Sequence, residues 1–391
     1  MSGPRSKRFP RIRRQRIENN NNVQLDAAHV TGAFPFFNPT HARFRNKVDT
    51  EERGDKAATG PESQVQYQWR SRDNRKGRHV IVVPPDHPLA PSKLHVCIKG
   101  IGRMFTTAPY WDVSWWVGVL FSVGSIIFIL CALFYWLPLA YPSTAFPHEA
   151  ATAGGVASFV GATLFQIGAV LLMFEAVNEN RTGCFGWAVQ GLLLRADPDA
   201  CEHHHQWRRM KKQGKKVPKS PQQEARKWTW CPSWQELRTH YIHEVGFVAN
   251  ATLAIGATIF YITGIMSLPG VYDTLSQGVL WGVYWLTYLV GGVLFVISSV
   301  MYMLETQQHW WKPAPHVLGW HIGLWNLIGS VGWTLSAAFG YCNPSWCEYQ
   351  SDLTLLWASA GFTIGSLILW FEAVNKYSVE VEKPKPKAAD S

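Results

Sequence analysis

Three glutamates that close long apolar runs are the residues of this sequence best suited to chemistry. Glu175 is the last residue of LLMFE, Glu305 of VMYMLE and Glu372 of ILWFE. His243 and His316 stand just before two other apolar runs. Carboxylates and imidazoles gathered at one depth can ligate a metal ion or relay a proton. These five residues form the predicted polar ring.

A structural role is the competing interpretation of the polar ring, and the sequence favours it. The glutamate recurs with each copy of a repeat, whereas a catalytic centre would occur once per protein. An acid near the first turn of a neighbouring helix is stabilised by the helix dipole. An amide follows each glutamate by three residues and shares its helical face (Asn178, Gln308, Asn375). We therefore predict a brace, with each glutamate bonding a group at the start of another helix. No catalytic, cofactor-binding or metal-binding residue is predicted.

The elements that must position these glutamates are six apolar stretches free of charged residues. They run over residues 114–136, 153–174, 246–268, 278–304, 317–341 and 353–371. At about 1.5 Å per helical residue, each can cross a bilayer core of about 30 Å. The fold class predicted is all-α, a polytopic membrane protein with six transmembrane helices in three hairpins. The basic N-terminal arm is expected to be largely disordered, with one strand-like piece at 78–83.

The distribution of basic residues predicts the orientation in the membrane. None of the 37 Lys and Arg residues falls in loops 137–152, 269–277 or 342–352. By the positive-inside rule both termini are cytosolic, and the net charge of +10 belongs to that face. Topology and anionic lipid account for these charges better than nucleic acid does. Which cellular membrane holds the protein stays open.

A pair of small residues lies near the middle of each stretch, seven and six positions before the glutamate in the even-numbered ones. The pairs begin at Gly124, Gly168, Gly256, Ser298, Gly329 and Gly365. In lipid, helices associate through close backbone approach at such residues, so we predict helix-packing contacts. A pore or a hinge lined by the pairs is the alternative. Their spacing shows a two-helix hairpin written three times.

The predicted organisation follows from these repeats and from the charge pattern. It comprises a basic arm (1–92), an interfacial amphipathic segment (93–110), hairpin 1 (111–180), a basic loop (181–243), hairpin 2 (244–310), hairpin 3 (311–376) and a cytosolic tail (377–391).

The hairpin pattern resembles a known family. The residues that carry the likeness are DVSWWVGVLFSVGSIIF, the segment GATLFQIGAVLLMFEAVNEN and GWHIGLWNLIGSVGWTLSAAFGY. They resemble the YrhK-type two-helix domain, and residues 90–376 resemble a family of fungal integral membrane proteins that carry it. The resemblance implies the hairpin architecture and no established activity, cofactor or catalytic residue.

The loops supply two further predictions. Cys342 and Cys347, in YCNPSWCEY, are expected to form a disulfide on the non-cytosolic side, the alternative being two free thiols. The run RRMKKQGKKVPK is expected to bind anionic lipid, through Arg208, Arg209, Lys211, Lys212, Lys215 and Lys216. CEHHHQW, at 201–207, offers Cys and His but lacks two spaced ligand pairs, so a solvated polar run is favoured over a zinc site.

The function predicted first is a non-enzymatic membrane organiser or sensor. The alternative is a transporter or channel for a small neutral solute, and a lipid-modifying enzyme comes third. The absence of charge within the stretches counts against an ion-coupled pump. A carrier should show a polar cavity among Gln166, Asn250 and Asn326, and an enzyme should bring Glu and His together at a pocket. An organiser should show neither.

Overall fold

Six helices are long and apolar enough to cross a membrane, so the chain is a multi-pass membrane protein by length and composition. The computed structural model describes residues 23–46, 66–88, 90, 92–186, 188–189 and 228–381. The spans are span 1 (Val113–Ala140), span 2 (Glu149–Val177), span 3 (Val245–Met266), span 4 (Gln277–Thr306), span 5 (Leu318–Phe339) and span 6 (Ser345–Val374). The predicted six-span helical fold is confirmed.

The six spans form a closed ring. Each span packs against the next one in sequence, and span 6 returns to pack against span 1. The small pairs lie at these contacts. A side chain at Gly124 would meet Phe165, one at Gly168 would meet Phe121, and one at Gly256 would meet Leu294. One at Gly329 would meet Phe362, one at Gly365 would meet Asn326, and the Ser298 hydroxyl donates to the Ala249 carbonyl at 2.8 Å.

An aromatic cluster fills the centre of the ring. Trp333 of span 5 is fully buried, and its ring centroid lies 4.5 to 5.9 Å from one phenylalanine of every other span. The partners are Phe128, Phe165, Phe260, Phe295 and Phe362. Because these six residues occupy matching places in the three hairpins, the sequence repeat becomes a repeat around one central point. We call this group the aromatic cluster.

A five-stranded sheet covers the end of the ring at which Glu175, Glu305 and Glu372 lie, here called the sheet end. The strands are β1 (Val23–Thr31), β2 (His41–Asn46), β3 (Gln66–Arg70), β4 (His79–Val83) and β5 (Tyr377–Val381), paired in that order. The first four strands are antiparallel, and β5 joins β4 in parallel.

The N-terminal arm and the tail therefore contain more regular structure than the sequence predicts. The strand-like piece at 78–83 is present as β4, but three further strands of the arm and one strand of the tail join it in one sheet. Residues 1–22, 47–65 and 382–391 lie outside the described residues. A half-buried strand is usually recognised by alternating apolar and polar residues. In β2 and β3 this pattern is hard to see, because the strands lie against a charged end of the bundle and carry polar and charged side chains.

The remaining elements are short. Helix α1 (Ser71–Arg75) joins β3 to β4, and α3 (Trp234–Thr239) precedes span 3 with a Ser233–Glu236 capping box. Helix α2 (Lys93–Thr106) packs on span 6 and exposes Leu94, Ile98, Ile101 and Phe105, as expected of an interfacial helix.

At the opposite end of the ring, Cys342 and Cys347 stand at disulfide distance as predicted, with Cα atoms 5.8 Å apart. The basic run 208–219 and the histidine run 203–205 fall outside the described residues.

Candidate functional site

A basic segment, residues 70–78 with the sequence RSRDNRKGR, lies across the sheet end of the ring. Strand β3 delivers it, α1 turns it, and Gly77 reverses it into β4 in the left-handed conformation (φ +62°), which glycine adopts without strain. Arg72 and Arg75 are each only 4% exposed, and Lys76 is 1% exposed. A burial this deep requires partners of opposite charge.

The glutamates of hairpins 2 and 3 receive arginines from this segment. Both oxygens of Glu305 accept from the Arg75 guanidinium, at 2.6 and 2.9 Å, and Oε1 also accepts from the Ser71 hydroxyl at 3.0 Å. Glu372 accepts from Arg72 Nη2 at 2.8 Å and from Arg78 Nη1 at 2.7 Å. Charge-assisted and two-pronged bonds of this kind are the strongest that arginine forms with a carboxylate.

Glu175, the glutamate of hairpin 1, is paired differently. Lys76 Nζ lies 3.3 Å from each of its carboxylate oxygens, and Arg75 Nε lies 3.7 Å from Oε1. The Ser114 hydroxyl donates to Oε2 at 2.6 Å. Since Ser114 is the second residue of span 1, this one bond has the form of the predicted brace to the start of another helix.

The charges of the described network balance. Around the glutamates, Arg70 pairs with Glu380 at 2.8 Å, Arg78 pairs with Asp73 at 2.8 Å, and Lys376 pairs with Asp112. The network thus contains six cations, Arg70, Arg72, Arg75, Lys76, Arg78 and Lys376, and six carboxylates, Asp73, Asp112, Glu175, Glu305, Glu372 and Glu380. Neutrality overall is what allows so many charges to be buried together.

Burial and partners shift the pKa values of the basic segment in opposite directions. Burial lowers the pKa of Lys76, and the nearby Glu175 only partly restores it. Burial also acts to lower the pKa of Arg75, but Glu305 outweighs it and the pKa lies above its usual range. For Glu380, which pairs with the segment, burial acts to raise the pKa, but the hydrogen bond and the charge of Arg70 outweigh burial, so the pKa lies below its usual value. Arg75 is thus the fixed charge of the segment, and Lys76 is the one most easily neutralised.

A cavity lies inside the ring between the basic segment and the aromatic cluster. Arg72, Arg75 and Lys76 bound it on one side, and Phe165, Phe295 and Phe362 bound it on the other. Most of its wall is apolar, formed by Phe121, Leu172, Leu253, Ile322 and Leu369. About 50 Å³ can be occupied by the centre of a water molecule. One water needs about 10–15 Å³ by that measure, so the cavity has room for a few waters or a small solute.

The polar residues of the cavity wall fall into two classes. Asn250 is satisfied, because it donates to the Leu172 carbonyl at 3.2 Å and accepts from Tyr302 at 2.6 Å. Asn326 of span 5 and Ser366 of span 6 also line the cavity. Gly365 leaves room for the Asn326 amide, since a Cβ there would lie 2.9 Å from its oxygen. An amide and a hydroxyl at the cavity wall, on adjacent spans, can bind a small polar group.

The other residues singled out by sequence lie away from this cavity. Gln166 bonds Thr258 of span 3 at 3.1 Å. The His243 carbonyl accepts from the Asn38 backbone at 2.8 Å, and His316 is exposed. The described bonds of the three glutamates run to arginine, lysine and serine, so the structure separates the carboxylates of the predicted polar ring from its histidines.

The three amides that follow the glutamates do not act alike. Asn178 and Asn375 each donate to the backbone carbonyl four residues earlier, at 3.0 and 2.8 Å, and so cap their own spans. Gln308 is exposed, while its neighbour Gln307 is 5% exposed. The amide three residues after the glutamate is therefore a cap in two hairpins of the three.

The basic segment is the functional feature that sequence reasoning missed. The sequence does contain a signal for it, because Arg72, Arg75 and Lys76 have the spacing that places three cations on one face of a helical turn. Three cations on one face could have been matched with the three glutamates, which need partners of opposite charge. The segment stands in an arm where basic residues are common, and this conceals the match. No protein-family model, no curated protein and no solved structure matches the chain.

Proposed function

We propose that the protein is a membrane carrier for a small neutral solute, which binds in the central cavity. This was the alternative that the sequence left open beside a membrane organiser or sensor. The observation that supports it is the cavity itself, where the side chains of Asn326 and Ser366 line a wall that is mostly apolar away from the basic segment. A bilayer organiser has no need of hydrogen-bonding groups that face an internal space.

The repeat architecture supports the same proposal. Carriers built from structural repeats hold their substrates at the interface between the repeats. Here all three hairpins contribute to the cavity, through Phe165 of hairpin 1, Phe295 of hairpin 2 and Phe362 of hairpin 3. A solute at this point contacts every repeat, so a concerted tilt of the hairpins would change its access.

The basic segment is the proposed closure on one side of the cavity. A buried ion pair contributes little net stability, because the attraction between the charges is largely offset by the loss of their hydration. When the segment leaves, water can solvate the three glutamates and the cations, so the open and closed states can be close in free energy. From the basic loops we propose that this closure faces the cytosol.

The wall of the cavity indicates the class of solute. A fixed charge in the solute would face an apolar surface beyond the balanced ion pairs, and this carries a large penalty. A molecule of a few heavy atoms with one or two hydrogen-bonding groups would instead satisfy Asn326 and Ser366. Small alcohols, amides and polyols belong to this class.

Solute flux into liposomes tests the proposal. We expect the purified chain to raise the entry of at least one of glycerol, urea, ethylene glycol and acetamide above that of protein-free liposomes, followed by stopped-flow light scattering. Asn326→Leu should lower the rate about tenfold, which corresponds to one lost hydrogen bond of about 1.4 kcal/mol. Gln166→Leu is the matched control, because it removes an amide at a span surface outside the cavity.

Two outcomes would contradict a carrier. Flux equal to that of empty liposomes for the whole panel would return the interpretation to an organiser or sensor. Equal loss of flux in both variants would show that the cavity is not the route.

Three expectations from sequence remain proposals beside this one. They are the kinship with the YrhK-type membrane proteins, the absence of enzymatic activity, and the binding of anionic lipid by the 208–216 run.

A further inference from the structure

Two glutamates and a histidine meet beside the basic segment, outside the cavity. One oxygen each of Glu179 and Glu244 and one ring nitrogen of His240 all lie within 4.8 Å of one another. His240 Nε2 is 3.0 Å from Glu244 Oε1. His240 is 5% exposed, and both glutamates are partly buried.

The three residues come from the end of hairpin 1 and from the segment that leads into hairpin 2. Glu179 follows the end of span 2, which belongs to hairpin 1. His240 and Glu244 flank the short turn Tyr241–His243 that leads into span 3, the first span of hairpin 2. The group therefore joins two repeats that are separated in sequence by the long basic loop.

We propose that Glu179, His240 and Glu244 form a binding site for a divalent transition-metal ion of the zinc class. Carboxylate oxygen and imidazole nitrogen bind such ions at about 2.0–2.2 Å, so ligand atoms around one ion stand about 3.0–3.6 Å apart. The His240–Glu244 separation already has this value, and movements of about 1 Å at the other positions complete the set. Three protein ligands leave a position for water.

The basic segment supplies the second layer of this site. Asn74 Nδ2 donates to Glu179 Oε2 at 3.2 Å, and the Asn180 backbone donates to the Asn74 carbonyl at 2.9 Å. Bonds of this kind orient metal ligands and strengthen the binding of the ion. A bound ion would hold hairpins 1 and 2 together and, through Asn74, would keep the basic segment over the cavity.

A protonated His240 between two carboxylates is the rival arrangement, and zinc titration separates the two. The full-length protein is purified in detergent with His203, His204 and His205 replaced by alanine, because that run can bind zinc by itself. Zinc bound per chain is measured by equilibrium dialysis with elemental analysis. Cobalt is then substituted for zinc, and its visible bands report the ligand set.

The site predicts one saturable zinc ion per chain in this background. Glu179→Gln preserves shape and should weaken binding at least about a hundredfold, whereas Asn74→Ala, one layer out, should weaken it about tenfold. His309→Ala, which removes an exposed imidazole at the same end, should leave the affinity unchanged. Melting curves without metal show whether each variant is folded, and His240→Gln provides a second ligand variant.

No saturable binding would overturn the proposal in favour of the ion pair. Affinity that is unaffected by both Glu179→Gln and His240→Gln would overturn it as well, since the zinc would then be bound elsewhere. Because the assay measures zinc and not flux, its result is independent of the proposed transport.

Discussion

The interior of the ring of six spans is blocked at two levels, and different interactions block it at each level. Toward the sheet end the closure is ionic, with Arg72, Arg75 and Lys76 inserted among three glutamates. At the centre it is aromatic, with Trp333 surrounded by five phenylalanines. Each contact between aromatic rings adds to the stability of the bundle, provided that the rings fit together in shape. For buried ion pairs, the attraction between the charges is largely offset by the loss of their hydration.

The difference shows which closure can open. Removing Trp333 from its partners would leave a void inside the ring, and nothing in the apolar interior could fill it. Separating the ionic closure exposes charges that water solvates readily. In the proposed carrier, the aromatic cluster is therefore the fixed point of the bundle, and the basic segment is the part that moves.

The largest expected effect comes from the fixed point. Trp333→Ala should lower the free energy of unfolding by about 3–5 kcal/mol, because it opens a large cavity among five aromatic rings. Denaturant-induced unfolding in detergent, followed by circular dichroism, measures it. Trp311→Ala, at a tryptophan that is 64% exposed, is the control and should change stability by less than about 0.5 kcal/mol. A mild loss at Trp333 would mean that the cluster does not hold the ring.

In the ionic closure, a single substitution should lower the free energy of unfolding, and a second substitution should recover most of it. Glu305→Ala removes the carboxylate that hydrogen-bonds the buried Arg75, leaving it only Glu175 at 3.7 Å, and should destabilise by about 3–5 kcal/mol. The double variant Arg75→Met with Glu305→Leu removes both charges and should recover most of that loss. The same unfolding assay measures both. If the double variant is as unstable as the single one, the ion pair itself stabilises the bundle, and the contrast between the two closures fails.

A smaller effect is expected where spans 1 and 2 approach each other. At Gly168 a Cβ would lie 3.1 Å from Phe121 Cε1, so Gly168→Leu should overpack the contact by about 1–3 kcal/mol. Gly282→Leu is the matched control, because nothing lies within 4 Å of a Cβ built there. Thermal unfolding of the two variants side by side compares them, and equal melting temperatures would place Gly168 against lipid.

The last effect depends on pH, through His41 of β2, which is the sheet partner of Arg70 in the basic segment. Burial, reinforced by Arg70, lowers the pKa of His41 from 6.5 to about 3. The unfolded chain therefore takes up this proton first as the pH falls. The stability linked to a neutral His41 is complete above about pH 6.5 and declines below it, by at most about 1.4 kcal/mol per pH unit.

Unfolding at pH 7, 6 and 5 measures this slope. His41→Gln should flatten it, while Trp333→Ala should lower stability equally at each pH. An unchanged slope in His41→Gln would assign the pH dependence to other groups.

The sequence predicts one of these closures better than the other. A membrane protein needs long apolar helices that pack closely, and the hydropathy, the small pairs and the hairpin repeats all reflect this need. The residues of the aromatic cluster occupy repeated positions in these hairpins. The Cys342–Cys347 pair was predictable, because two cysteines lie close together in one short loop. The three glutamates were recognisable as a set for the same reason of repetition.

The partners of the glutamates were not predictable, for a physical reason. Arg72 and Arg75 lie 300 and 230 residues from the carboxylates that they bind. Nothing local marks them, since a basic segment that is solvated and one that is buried against acids have the same composition. The strands were concealed similarly, because β5 is five residues long and pairs with a strand nearly 300 residues earlier.

That last pairing has a consequence for the order in which the protein is made. Strand β4 emerges from the ribosome early, whereas its neighbour β5 emerges only after all six spans. Arg75 likewise precedes Glu305 by 230 residues. The basic segment therefore cannot complete its ion pairs until the hairpins that carry Glu305 and Glu372 have been synthesised. The sheet and the ionic closure can thus be completed only after the last span has been made, although most of their residues lie near the start of the sequence.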